Sequence, residues 1–238
     1  MRNVFLKYFE EKLPVPRIID SVEPTSDIPG AILMEYLQGN LINKLDLTET
    51  VIYKIGLLLA KIHTNRVAGY GDLTKPSQLS ADPTSYFTFK FEEGIAECSN
   101  HIPKKMLSQC RDRFNTYINL LVSVDGPCIT HRDFRPGNIL IGGEKIQEIL
   151  IGLLHEAALL KKICSLELGD WFNDTSKEKV FLEGYASIRS IPNYSDVTPL
   201  LILSKAIATI GFTVKTNSWD NKNKNLYKQH LLLLKRVI

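Results

Sequence analysis

One polar segment near the middle of the chain constrains the fold more than any other feature. It reads His131-Arg132-Asp133-Phe134-Arg135-Pro136-Gly137-Asn138. Short apolar strands are predicted directly before it, at Cys128–Thr130, and after it, at 139–141, where Gly142-Gly143 starts a hairpin turn. Because a loop anchored between two strands holds its side chains in place, Asp133 and Asn138 are predicted to face one cleft. A chance polar turn between two strands is the alternative.

The spacing H-x-D-x-x-x-x-N resembles the catalytic loop of the kinase-like phosphotransferases. The ending Pro-Gly-Asn-Ile-Leu is similar to that of the aminoglycoside phosphotransferase and choline kinase branch. In such a loop an Asp accepts or orients a hydroxyl proton, while an Asn oxygen five residues later reaches Mg²⁺ beside the same phosphoryl group. The resemblance therefore implies transfer of a phosphoryl group from ATP, with Mg²⁺, to the hydroxyl of a small-molecule acceptor.

The same resemblance assigns roles within the loop. Asp133 is expected to be the catalytic base and Asn138 a metal ligand. Arg135 is expected to contact the transferred phosphate, and His131 to be a structural brace of the loop.

Other stretches resemble the family in the same order along the chain. The apolar run ending in Met34-Glu35-Tyr36-Leu37 resembles the strand and hinge whose backbone contacts adenine. A helix capped by Thr48 and running to about Asn65, with apolar residues at helical spacing, ends in a sequence similar to the family's L-A-x-L-H. His63 in this sequence is expected to be a core residue at the helix end rather than a ligand. The helix containing Phe181-Leu182-Glu183-Gly184-Tyr185 also resembles the family, and no A-P-E motif of true protein kinases occurs.

These features predict an α+β, protein-kinase-like fold with a mostly helical C-lobe and a remnant of the N-terminal nucleotide lobe. The predicted division is 1–40 for the remnant with the hinge and 41–238 for the C-lobe, which contains the catalytic loop 131–138. The sequence before Pro14-Val15-Pro16 carries no Gly-rich turn and no strand lysine, so an N-terminally truncated member is expected.

The family's metal-binding aspartate is also missing from its expected place. No Asp occurs between Asp133 and Asp170, and the run from 149 to 160 is apolar except for His155 and Glu156. Codons read across the residue junctions of 149–163 permit Ile-Asp-Trp, which resembles the missing family segment. A displaced reading frame is one hypothesis for this stretch, and divergence into an apolar helix is the alternative.

Composition limits the class of protein. With 238 residues, a net charge of +3 and no concentrated basic block, the chain is expected to bind no nucleic acid. It has no uninterrupted apolar leader and no predicted membrane span, and its four isolated cysteines form no CxxC pair. A cytoplasmic location is the resulting expectation.

The sequence leaves the acceptor and the activity open. Acidic residues could contribute to an acceptor pocket or could be solvated helix charges, namely Glu92, Glu93, Glu97 and Asp170. Three hypotheses remain: an impaired or inactive phosphotransferase, a non-catalytic pseudokinase-like binding module, and an unrelated helical protein with a fortuitous loop.

Overall fold

The computed structural model describes most of the chain. The described residues are 9, 12–43, 47–73, 75–123, 126–131, 134, 136–149, 156–158, 175–191 and 195–238. Their strands are β1 (Ile18–Val22), β2 (Ala31–Met34), β3 (Asn40–Leu41), β4 (Gly71–Asp72), β5 (Cys128–Thr130), β6 (Ile139–Gly142), β7 (Lys145–Ile149) and β8 (Glu156–Ala158). Their α-helices are α1 (Glu49–His63), α2 (Pro83–Cys98), α3 (Lys104–Tyr117), α4 (Thr175–Ala186), α5 (Thr198–Lys215) and α6 (Lys224–Val237).

The chain forms two compact units, each built from two separate segments. The first unit comprises residues 1–79 and 127–191, and the second comprises 80–126 and 192–238. The first contains all eight described strands together with α1 and α4, and the second contains α2, α3, α5 and α6. The predicted domains, 1–40 and 41–238, divide the chain differently from these two units, and they stay a prediction.

The strands of the first unit form three small antiparallel sheets. β1 pairs with β2; β3, β6 and β7 follow one another in the second sheet; and β8 lies between β4 and β5 in the third. The hairpin of β6 and β7 turns at Gly143, whose φ of 61° favours glycine. Residues 156–158 form a strand that pairs with β4 on one side and with β5 on the other. The alternative of divergence into an apolar helix is therefore wrong for these three residues.

The core of the first unit is built around α1. Thr48 Oγ1 accepts a hydrogen bond from the amide of Val51 and so caps the helix at its first turn. The predicted helix and its apolar face are confirmed, because the apolar positions all lie in the core: Val51, Ile52, Ile55, Leu58, Leu59 and Ile62. These residues recur at a spacing of three and four, which places them on one side of the helix.

Helices α1 and α4 cross with their backbones in close contact. A Cβ added at Gly56 would lie 2.1 Å from the carbonyl oxygen of Phe181, and one added at Gly184 would lie 2.1 Å from that of Tyr53. Side chains at these two positions would hold the helices apart. The two glycines therefore set the distance between α1 and α4.

The second unit has a helical core of its own. Phe91 of α2 stacks on Phe114 of α3 with ring centroids 4.0 Å apart, and α5 packs against α2, α3 and α6. Of the described helices, α5 alone is long and apolar enough to cross a membrane, by length and composition only. The sequence predicts a helix here, at about 196–210, but no stretch as long as a membrane span. The helix is longer than predicted, and Leu200, Leu203 and Ile207 are among its buried residues.

Candidate active site

The predicted catalytic loop begins at a buried strand end in the first unit. β5 pairs with β8 on one side, and on the other the amide of Ile129 donates to the carbonyl oxygen of Asn65 at 3.0 Å. His131 follows directly and is fully buried, and its ring lies edge-on to that of the buried Phe134 with centroids 5.5 Å apart. The predicted role of His131 as a brace of the loop stays a prediction.

The loop ends in a short turn that leads into β6. Residues Pro136–Asn138 form a turn of 3₁₀-helix, and Asn138 is half-buried. The next residue, Ile139, is fully buried, and its carbonyl oxygen accepts from the amide of Ile42 at 3.1 Å. Asn138 therefore has a defined place at the start of a core strand, as a ligand position requires.

Asp133 and Arg135 lie outside the described residues, so their predicted roles and the prediction that Asp133 and Asn138 share a cleft stay predictions. Asp170 and most of the segment 149–163 also lie outside them. The displaced-frame hypothesis for that segment is likewise a prediction, and the DNA sequence of these codons decides it.

The predicted hinge follows β2. Met34 pairs with Ile18 of β1, and the backbone amide of Glu35 donates to the carbonyl oxygen of Arg17 at 3.0 Å. The carboxylate of Glu35 accepts from the amide of Arg17 at 2.9 Å, which adds a second bond at the same place. Tyr36 is 88% exposed and Leu37 is half-buried.

At Gly39, three residues after Tyr36 of the predicted hinge, the backbone lies in close contact with β6. A Cβ at Gly39 would lie 2.7 Å from the carbonyl oxygen of Ile141, so only glycine allows this approach. β3 follows at once and pairs with Leu140 and Ile141 of β6. The chain path thus leads from the hinge to within a few residues of Asn138.

A buried polar cluster lies beside the start of the loop. His63, at the last position of α1, is fully buried, and its Nδ1 is hydrogen-bonded to the hydroxyl of Tyr185 at 3.1 Å. The guanidinium of Arg189 donates to the carbonyl oxygen of His63. Burial, together with the nearby charges of Arg189 and His131, lowers the pKa of His63 to about 3, so its ring is neutral in the folded protein.

The low pKa of His63 predicts that the folded protein loses stability in acid. In the unfolded chain its pKa is near 6.5, so between pH 6.5 and about 3 the unfolded state binds a proton that the folded state does not. The contribution of His63 to the free energy of unfolding is therefore fully present above pH 6.5. Below pH 6.5 the free energy of unfolding falls by up to ~1.4 kcal/mol per pH unit. Urea midpoints of the native chain and of His63→Gln at pH 7.5 and pH 4.5 measure this. The variant should lose less stability on acidification, and equal losses would contradict the expectation.

The described residues of the candidate site supply few ligands for a metal ion. No group of three or more His, Cys, Asp or Glu side chains able to hold one occurs in the part of the chain that the structure describes. Asn138 supplies an oxygen of the kind Mg²⁺ prefers, but a single amide oxygen does not make a site. With no aspartate between Asp133 and Asp170, these residues do not fit the two-ligand magnesium site of the kinase-like pattern.

The predicted acidic candidates of the second unit form ion pairs there. Glu92 pairs with Arg111 at 2.7 Å, Glu93 with Lys90 at 2.9 Å, and Glu97 with Lys215 at 2.8 Å. The side chains of these pairs are partly exposed, with Glu97 the most buried at 23%, and pairs that water can reach contribute little stability. The pairing favours the interpretation as solvated helix charges.

Sequence reasoning identified His63 as a core residue at a helix end, and the burial of its ring confirms this. It missed the ring's hydrogen-bond partner, Tyr185, and the bond from Arg189 to the backbone carbonyl oxygen of His63. Tyr185 belonged to a helix that was singled out only for its resemblance. The available signal was the helical spacing: Tyr185 comes four residues after Phe181, which places both on one face, and a tyrosine hydroxyl on a buried face needs a partner.

The helices and the small antiparallel sheets of the described residues form a protein-kinase-like fold. The model of the phosphotransferase enzyme family, APH, matches residues 4–150, which is more than half of the chain. The protein belongs to this family, and the predicted resemblance and fold class are confirmed.

Solved structures share the fold at low sequence identity. A thermostable mutant of an aminoglycoside phosphotransferase, in complex with AMP-PNP and hygromycin B, superposes with a TM-score of 0.70 at 11% identity, covering 99% of this chain and 80% of its own. A putative fructosamine-3-kinase from Thermobifida fusca gives 0.66 at 10% identity, with 98% and 78% covered. A choline kinase from Cryptosporidium parvum gives 0.60 at 14% identity, with 98% and 77% covered. No curated protein sequence matches the chain.

Proposed function

We propose that the protein is an ATP-dependent phosphotransferase of a small-molecule hydroxyl whose turnover is impaired in this sequence. The observation that carries the proposal is the loop 131–138, which is anchored at one end by the buried His131 and at the other by Asn138 and β6. Family membership and the nucleotide complexes of its structural neighbours support the assignment of ATP as the donor.

In the proposed reaction, the acceptor oxygen forms a bond to the γ-phosphorus of ATP. The bond from that phosphorus to the β,γ-bridging oxygen breaks, ADP leaves, and Asp133 takes the hydroxyl proton. Arg135 would contact the transferred phosphoryl group, and the backbone of 34–37 would bind adenine. The missing aspartate after β7 removes a source of charge neutralisation, which is the physical reason for impaired turnover.

A second candidate is a non-catalytic pseudokinase-like module. The same missing aspartate favours it, because a binding module needs the fold and not the metal site. The two candidates differ in turnover. The third hypothesis, an unrelated helical protein with a fortuitous loop, is wrong, because the family model matches residues 4–150.

Nucleotide binding is the first test. At a concentration of ATP one hundred times its Kd, binding to the folded state alone adds ~2.7 kcal/mol to the free energy of unfolding, which raises the melting temperature by several degrees. We expect this shift with ATP, and we expect Asn138→Ala to reduce any additional shift that Mg²⁺ provides. Ser204→Ala, in the second unit, is the matched control. Unchanged melting with ATP and ADP, with and without Mg²⁺, would contradict both candidates.

The acceptor is proposed to be a small polyhydroxylated or hydroxylated amine. Hygromycin B, a fructosamine and choline are the compounds to assay, because the neighbouring structures are a hygromycin B complex, a putative fructosamine-3-kinase and a choline kinase. No nucleic-acid or membrane partner is proposed.

A cytoplasmic location is proposed from the cysteines. Cys98 and Cys110 are buried free thiols, and Cys128 is buried as well. Burial raises the pKa of Cys98 to about 12 and that of Cys110 to about 11, which keeps both as unreactive thiols. Such cysteines are typical of reducing compartments.

A further inference from the structure

Buried polar side chains are few in the described part of the chain, and they cluster beside the predicted loop. Five polar or charged residues are buried there, and three of them belong to this one region: His63, Thr130 and His131. A buried polar group is costly unless it is bonded, so a cluster of them marks a place where bonding matters.

His63 is held by α4 and by the residues that follow it. The hydroxyl of Tyr185 bonds to its ring at 3.1 Å, and Arg189 bonds to its backbone carbonyl oxygen. The Nε2 atom of the same ring is buried and has no hydrogen-bond partner among the described residues. The position of the ring therefore depends on the Tyr185 hydroxyl at its other nitrogen.

The backbone just after His63 is paired with the strand that leads into the loop. Asn65 accepts from the amide of Ile129 at 3.0 Å, Arg66 forms a bridge with Cys128, and Val67 donates to Pro127 at 3.3 Å. His131 comes two residues after Ile129. A shift at the end of α1 is thus transmitted to the first residue of the loop through three backbone contacts.

We propose that the buried His63–Tyr185 pair positions the His131 end of the loop 131–138, so that His63 is a positioning residue. The importance of the loop to catalysis rests on the proposed function, but the positioning itself does not. The groups that face His63 are Tyr185 of α4, Arg189 beyond the end of α4, and His131. The low pKa of His63 agrees with this role, because a neutral ring keeps its bonding pattern across physiological pH.

The test compares Tyr185→Phe with Ile55→Val. The first substitution removes only the hydroxyl, and the second removes one buried methylene from α1, eight residues before His63. In Tyr185→Phe we expect hydrogen exchange at the amides of Thr130, His131 and Ile139 to accelerate at least ~10-fold more than in Ile55→Val. Amides of α5, in the other unit, should change equally in both variants. Equal acceleration at the loop amides would show that the pair is ordinary core packing and would overturn the proposal.

The ¹⁵N resonances of the imidazole rings give a second readout that general destabilisation does not move. They report which nitrogen of His63 carries the proton, and loss of the Tyr185 hydroxyl should change this and shift the His131 resonances. Unchanged resonances of both rings would overturn the proposal.

If Tyr185→Phe does not fold, His63→Leu and His63→Gln replace it. Leucine should loosen the loop and glutamine, which can still bond to the hydroxyl, should restore part of its protection. Equal protection in these two variants would overturn the proposal.

The melting response of the native chain to ATP separates the two proposals. Loop loosening in Tyr185→Phe without a nucleotide response in the native chain would uphold the positioning and contradict the proposed function. A melting response to ATP in the native chain, without loosening of the loop in Tyr185→Phe, would uphold the proposed function and contradict the positioning.

Discussion

Replacing Gly56 by alanine is expected to destabilise the first unit strongly. The new Cβ would lie 2.1 Å from the carbonyl oxygen of Phe181, and backbone at this distance cannot rotate away as a side chain can. The crossing of α1 and α4 would have to open by about 1 Å, which would loosen the core that Phe181 and Tyr185 share with α1. We expect a loss of about 3–5 kcal/mol from the free energy of unfolding, measured by urea denaturation.

Gly211→Ala is the matched control for this experiment. It is the same substitution in the interior of a helix, but the nearest atom to its new Cβ is the carboxylate oxygen of Glu97, at 2.7 Å on the end of a long side chain. The carboxylate can rotate away, and the next nearest atom, the Cβ of Glu97 at 3.1 Å, needs a shift of only a few tenths of an ångström. Because alanine also favours helix by about 1 kcal/mol over glycine, stability should change by less than ~1 kcal/mol. A similar loss at both positions would contradict the close crossing. Gly184→Ala should behave like Gly56→Ala, since its Cβ would meet Tyr53.

Turnover of the 238-residue chain should lie far below that of an ordinary kinase. Typical values are on the order of 1–100 per second. Loss of one preorganised charge or donor at a transferring group costs about 10²–10³ in rate, and no aspartate follows β7 in the family's position. We therefore expect no more than ~0.01 per second with ATP, Mg²⁺ and each of the acceptors named above, measured as ADP formed per chain.

The variant Asp133→Asn shows whether any residual turnover comes from the proposed site. It should abolish that turnover without changing the melting response to ATP, because the predicted base acts on the acceptor and not on adenine binding. Turnover near 1 per second in the unmodified chain would contradict the impairment. Residual turnover that is the same in Asp133→Asn would have to come from another enzyme in the preparation.

The local features of the fold could be predicted because their causes are local. The apolar spacing of α1, the cap at Thr48 and the Gly-Gly turn between β6 and β7 each depend on residues within a few positions of one another. The motif 131–138 belongs to the same class, since its spacing is written in eight consecutive residues. These features were sufficient for the fold class and for the family.

The features that the sequence did not reveal all join distant parts of the chain. β8 lies between β4 and β5, so Ala157 pairs with Gly71 on one side and with Ile129 on the other. The contact of His63 with Tyr185 spans 122 positions. A strand of three residues carries too little periodicity to indicate its partners, and its place is decided by which edges the folded chain leaves open.

Chain order and composition determined that this protein has a helical body, a motif loop between two short strands and a glycine in each of two helices. The tertiary structure alone decided that those glycines, Gly56 and Gly184, face each other's helix, and that the resulting crossing brings the Tyr185 hydroxyl to His63. A glycine in a sequence shows only that no side chain is present. Whether the vacant space receives another backbone depends on the packing of the whole core, which no local pattern encodes.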